Sequence, residues 1–112
     1  MRRLSITAAA VLAVAAVAVP AFAATRTVKI GDNYFVRKGS PPTVTVRHGT
    51  TVKWVWTGKS MHNVTVLRGP VKFHSKTQSR GTFSRTLTRK GRYFIVCTIH
   101  RALGQKMYVK VT

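Results

Sequence analysis

The stretch Gly91-Arg92-Tyr93-Phe94-Ile95-Val96-Cys97-Thr98-Ile99-His100 holds the two strongest signals in the chain. Tyr93 to Cys97 is an unbroken apolar run, the pattern of a central strand buried on both faces. Cys97 ends the run, and His100 follows after two intervening residues. A strand end followed by a tight loop can aim a thiolate and an imidazole at one point.

Outward from this stretch, glycines punctuate the chain. All eight, Gly31, Gly39, Gly49, Gly58, Gly69, Gly81, Gly91 and Gly104, lie 8 to 13 residues apart. Short runs rich in Val, Thr and aromatic residues fill the intervals. Strands at this spacing indicate an all-β Greek-key sandwich of about seven to eight strands. Val28 and Ile30 share one strand face, as do Val44 and Val46. Pro41-Pro42 precedes the latter pair and suits a strand start or an edge. Val52, Trp54 and Trp56 share a face, and so do His62, Val64 and Val66. Thr82 to Thr88 is polar-rich, with Phe83 and Leu87 on one side. Met107, Val109 and Val111 close the chain on one face. The region between Gly69 and Gly81 is a long irregular connection. No second domain, internal repeat or low-complexity linker is visible.

The first 23 residues follow other rules. Arg2 and Arg3 open a segment that is apolar from Ala8 to Val19, is broken by Pro20, and ends in Ala21-Phe22-Ala23. That is the layout of a signal peptide for export, with cleavage after Ala23. The competing expectation is an uncleaved anchor. The run is short for a bilayer span and rich in weakly inserting Ala. No cysteine follows the cleavage point, so a lipoprotein is excluded. The domain is therefore expected to span residues 24–112, that is 89 residues, of which Val and Thr make up 26. This composition favours strands.

The 112-residue chain has 20 Lys plus Arg against a single acid, Asp32, for a net charge of +19. Loss of the leader would leave +17. One carboxylate side chain excludes paired-carboxylate hydrolysis and carboxylate-rich calcium or magnesium cages. One cysteine excludes an intramolecular disulfide scaffold and a thiolate-only zinc site. The charge suggests nucleic acid, but the basic residues are spread along the whole chain. No helix-turn-helix or RNA-binding sheet motif is present, and export removes most nucleic-acid targets.

Four histidines remain to be placed. His62 begins an alternating strand and would point inward if Val64 and Val66 face the core. His48 lies in a turn and His74 in a loop, both settings of ordinary surface histidines. Taken singly, a buried Cys97 is ordinary packing and His62 an ordinary histidine. Together with His100 they flank apolar runs at matching ends of one sandwich, and two imidazoles with one thiolate make a metal-ligand set.

These stretches resemble the small blue-copper proteins, the cupredoxins of the plastocyanin and pseudoazurin type. The resemblance rests on Val52-Lys53-Trp54, Met61-His62-Asn63-Val64, Gly91 to His100, and Met107-Tyr108-Val109-Lys110-Val111, and spans nearly all of residues 24–112. It implies a sandwich holding one type-1 copper ion, with His62, Cys97 and His100 as equatorial ligands. It also implies that Asn63 ties the ligand loops together, with Thr98 as its partner. The implied function is transfer of single electrons by Cu(II)/Cu(I) cycling, without enzymatic turnover.

The fourth ligand departs from the pattern. Plastocyanin-like members carry an axial Met five residues after the second His, where this chain has Gln105. Amicyanin-like members carry it three residues after, where this chain has Leu103. Gln105 is favoured, as a stellacyanin-like oxygen donor that shares parity with Met107, Val109 and Val111. A three-coordinate site capped by Leu103, or Met107 reached through a shifted loop, are the alternatives. Phe35, Trp54, Trp56, Phe94 and Ile99 are candidates for a dry surrounding shell.

In such proteins electrons enter at the exposed edge of the second His. Here that patch would be His100, Ala102 and Leu103, with Arg101 and Lys59 nearby. The expected partner is an acidic redox protein, and the overall field also suits anionic membrane or cell-wall surfaces. The protein is expected to be an exported monomer. Two other function classes share some of these features: a copper carrier or storage protein, and a cationic surface-interaction module with Cys97 as plain core.

Overall fold

Alternation in sequence becomes alternation of buried and exposed side chains in the computed structural model, which describes residues 24–112. Residues 1–23, on which the signal-peptide and anchor expectations fall, lie outside the described residues. Eight strands form: β1 (Thr25–Gly31), β2 (Tyr34–Phe35), β3 (Thr43–Val46), β4 (Thr50–Trp56), β5 (Thr65–Arg68), β6 (Thr82–Leu87), β7 (Gly91–Val96) and β8 (Lys106–Val111). A single 3-10 turn, Arg101–Leu103, joins the last two.

The strands make two four-stranded sheets, ordered β2-β1-β4-β6 and β3-β8-β7-β5. The chain passes from one sheet to the other at each step from β2 to β7. β1 runs parallel to β4 and β3 parallel to β8, while the other pairs are antiparallel. The inner faces meet in one core that includes Val28, Ile30, Val52, Trp54, Trp56, Tyr93, Ile95, Met107 and Val109. Pairing every second residue inward fills the space between two sheets with apolar side chains. β3 is an edge strand, consistent with the prolines before it.

β7 is buried on both faces, but the two covers differ. Tyr93, Ile95 and Cys97 join the core, whereas Phe94 lies outside it. The Phe94 ring packs on Tyr108 at 5.1 Å between centroids. The Arg68 guanidinium lies 4.5 Å from the Phe94 centroid, and that of Arg92 4.4 Å from the Tyr108 centroid. Arginine stems and aromatic rings thus cover the outer face, each cation–π contact adding ~0.5–1 kcal/mol.

The strand expected to start at His62 starts at Thr65 instead. His62, Val64 and Val66 are still all buried. Their backbone partners lie in the irregular connection: His62 and Gln78 exchange N–H···O bonds of 2.9 and 3.0 Å, Ser75 N–H donates to Val64 O, and Val66 N–H to Phe73 O. That connection, anchored by the buried Phe73, acts as a makeshift neighbour for residues 62–66.

Candidate metal centre

The end of β7 delivers Cys97, fully buried, to one end of the core. The loop beyond it closes on itself. Cys97 N–H donates to Gln105 O at 3.1 Å, His100 N–H to Cys97 O at 3.3 Å, and both Leu103 N–H and Gln105 N–H to His100 O. Gly104, at φ +91°, ends the 3-10 turn in the left-handed region and lets the chain re-enter the sheet with Gln105 inward. His62 reaches the same point from the other ligand segment.

One ligand atom each from His62, Cys97 and His100 lies within 4.8 Å of the others. The two Nδ1 atoms of His62 and His100 are 3.0 Å apart, and Cys97 Sγ is 3.7 Å from His100 Nδ1. The Gln105 side chain is fully buried, with Oε1 2.9 Å from His62 Nδ1. Its amide nitrogen donates to Gly31 O and Tyr34 O, both at 3.1 Å. The oxygen is therefore the atom turned toward the histidines. A thiol sulfur, two imidazole nitrogens and an amide oxygen converge, all bearing lone pairs, and this donor set fits a copper ion. Cys97 and His62 are buried and His100 is half-buried, so the site is shielded from bulk water.

Asn63 binds the two ligand segments into one body. Its side-chain nitrogen donates to Thr98 Oγ1 at 2.8 Å and Thr77 Oγ1 at 3.0 Å. Its oxygen accepts from Thr98 N–H at 3.1 Å and from Thr65 Oγ1 at 2.8 Å. The Trp56 indole N–H donates to His62 O at 3.1 Å.

The other residues singled out from the sequence fall in different places. Met107 is buried in the core, one inward position beyond Gln105 and so about 7 Å farther along the strand. Leu103 is 65% exposed. Ala102 and Arg101 are exposed in the same turn. Of the shell candidates, Phe35, Trp54 and Trp56 are buried in the core. Ile99 is 53% exposed and shields nothing, because the loop after Cys97 turns it outward. Phe94 lies on the outer sheet face. His48 and His74 are exposed, and the His48 ring Nδ1 lies 3.0 Å from Thr112 O.

One residue of the site carries no ligand motif in the sequence. Asp32, in the turn between β1 and β2, lies with Oδ1 2.9 Å from His62 Nε2. The His62 ring N–H, then Ser60 N–H, the Ser60 hydroxyl and Lys59 N–H hold its carboxyl well below the usual carboxylate range, against a smaller effect of burial. The available signal was its being the sole acid among 20 basic residues.

The sequence profile of the copper-binding proteins of the plastocyanin/azurin family matches residues 24–112. The structure is similar to a copper-containing nitrite reductase from Thermus scotoductus, at 26% identity over 90% of this chain, with a TM-score of 0.65. The chain spans 25% of that protein's length. A purple cupredoxin from Nitrosopumilus maritimus shares the fold at 18% identity and a TM-score of 0.64, over 77% of this chain and 98% of that one. So does a methionine-to-glutamine variant of amicyanin in its Cu(I) form, at 24% identity and a TM-score of 0.62, over 79% of this chain and 82% of that one. The match over all the described residues and the convergence of two imidazoles with one thiolate lead to one conclusion: the chain belongs to the plastocyanin/azurin family, as an electron-transfer cupredoxin with His62, Cys97 and His100 as its type-1 copper ligands.

Proposed function

We propose that the protein is an exported carrier of single electrons in which Gln105 is the axial copper donor, and that it docks with an acidic redox protein around His100. The observation that carries the axial assignment is the orientation of Gln105. Its amide nitrogen is committed to two backbone carbonyls, and Oε1 is left 2.9 Å from His62 Nδ1. Copper held by these residues would supply a one-electron Cu(II)/Cu(I) couple. An amide oxygen is a harder donor than a thioether and favours the oxidised ion, which lowers the reduction potential. A backbone hydrogen bond joins Cys97 to Gln105 just beyond the ends of β7 and β8, which would restrain the ligands when the ion changed oxidation state.

Exposure supports the docking reading. Met61, Ile99 and Leu103 are the exposed large hydrophobic residues among the described part of the chain. Met61 precedes one ligand, Ile99 precedes another, and Leu103 follows in the turn with Ala102. Exposed Arg101 and Lys59 add positive charge. Exposed apolar side chains next in sequence to the ligands, with basic residues nearby in the same loops, suit a protein partner with acidic surface better than a polyanion. Export rests on the layout of residues 1–23.

Replacing Gln105 with Met is expected to raise the reduction potential, and an unchanged potential overturns the axial assignment. Intense visible thiolate-to-Cu(II) absorption and reversible voltammetry are expected of the copper-loaded domain. A readily exchanged ion without a reversible wave would point to copper carriage instead. Electron exchange with an acidic redox protein should slow as salt rises.

A further inference from the structure

Behind His62, on the side away from Cys97, lies the only carboxylate side chain of the protein. Asp32 Oδ1 accepts from Lys59 N–H at 3.0 Å, Ser60 N–H at 3.0 Å, the Ser60 hydroxyl at 2.8 Å and His62 Nε2–H at 2.9 Å. Oδ2 accepts from Lys59 N–H at 3.2 Å. The loop can wrap this closely because residue 58 is glycine. A Cβ there would lie 2.3 Å from Asp32 Oδ1 and 2.9 Å from Asp32 N. Two segments distant in sequence, the β1–β2 turn and the stretch from the loop after β4 to His62, thus meet at one oxygen atom.

We infer that Asp32 is a positioning residue for the copper site: it holds the proton of His62 on Nε2, fixes the ring plane, and leaves Nδ1 as a bare lone pair facing Cys97, His100 and Gln105. The inference rests on the family's copper site and adds a residue to it. An ionised carboxylate offers no proton, so the ring nitrogen it touches must supply one. A neutral ring has only one, and the Gln105 amide oxygen 2.9 Å from Nδ1 competes for it. The charged carboxylate is the stronger acceptor, so the proton stays on Nε2 and Nδ1 is left as the donor to metal. Partners of this kind orient a histidine ligand and raise its basicity. The carboxylate also brings a negative charge close to a centre that gains an electron on reduction. Its presence favours the oxidised state in a protein whose other charged side chains are all basic.

Nearly every bond to Asp32 ends on Oδ1, so Asp32→Asn can keep the geometry and remove the charge. Asp32→Ala removes both. In the metal-free protein, long-range proton–nitrogen correlation spectra, at a pH where the ring is neutral, are expected to show His62 as the Nε2–H tautomer in wild type and Asp32→Asn. A mixture is expected in Asp32→Ala. In the copper-loaded protein, Asp32→Asn is expected to weaken Cu(II) binding about tenfold relative to Cu(I), which raises the potential by about 59 mV for one electron. An Nδ1–H tautomer in wild type overturns the inference, as does an unchanged potential in folded Asp32→Asn. The wild-type tautomer decides the matter even if both variants fail to fold. Failure of wild type to bind copper with the Nε2–H tautomer present would instead count against the copper function and leave the role of Asp32 in orienting His62 standing.

Discussion

The backbone N–H of Cys97 donates to the carbonyl of Gln105 at 3.1 Å, so the loop that carries His100 begins and ends on one sheet rung. A loop pinned at both ends has few conformations to lose when its ligands converge, and its side chains are aimed before any ion binds.

Cys97 is the only thiol, and its sulfur sits among the imidazoles in a fully buried position. Cys97→Ser is expected to abolish the visible charge-transfer band of the Cu(II) protein. The strand around it remains, so stability should fall by only about 1–3 kcal/mol. Absorption spectra and urea unfolding of the same samples check both.

Asn63 makes four side-chain hydrogen bonds to three residues, Thr65, Thr77 and Thr98. Asn63→Ala leaves Thr98 N–H without its partner and unties the ligand segments. The expected cost is about 2–4 kcal/mol. Wider variation in site geometry should accompany it, seen as broadened features in the electron paramagnetic resonance spectrum of the copper protein.

Gly104 has open space around a would-be Cβ, so only its backbone angle resists substitution. At φ +91° an L side chain is strained, and Gly104→Ala should destabilise the fold by about 1–2 kcal/mol. A loop that relaxed instead would turn Gln105 away from His62. Thermal unfolding and the reduction potential, measured together, distinguish the two responses.

Tyr93 is buried in the core while its hydroxyl donates to Arg89 O at 2.9 Å. Burial pushes its phenol above the ordinary range, against the opposing charges of Arg89 and Arg85. With the folded value above the unfolded one, the stabilisation is fully present below about pH 10. It is lost as pH rises from there through the folded value, because the unfolded chain ionises first. Denaturant unfolding at alkaline pH should therefore show a steeper loss for wild type than for Tyr93→Phe.

The architecture was legible because it rests on local patterns. Glycines at regular intervals and apolar residues at every second position state where strands turn and which faces are buried. Cys97 and His100 could be paired from sequence because only two residues, in a tight loop, separate them. The segment from His62 to Val66 was harder, since its neighbour is an irregular connection with no alternation to mark it. Ile99 and Phe94 are apolar in sequence, yet one faces solvent and the other lies under Arg68. Direction out of a loop and cover by a distant side chain are not local properties.

By itself, then, the sequence determined the sandwich and the residue types able to hold copper, because periodicity and donor chemistry are carried by neighbouring residues. Only the tertiary structure decided which atom of Gln105 faces the histidines. That orientation depends on the carbonyls of Gly31 and Tyr34, more than 70 residues away. It also decided that the lone acid stands behind His62, a contact across 30 residues that exists because Gly58 lets the backbone close around Asp32. Such contacts are set by how the sheets pack, and no run of adjacent residues encodes them.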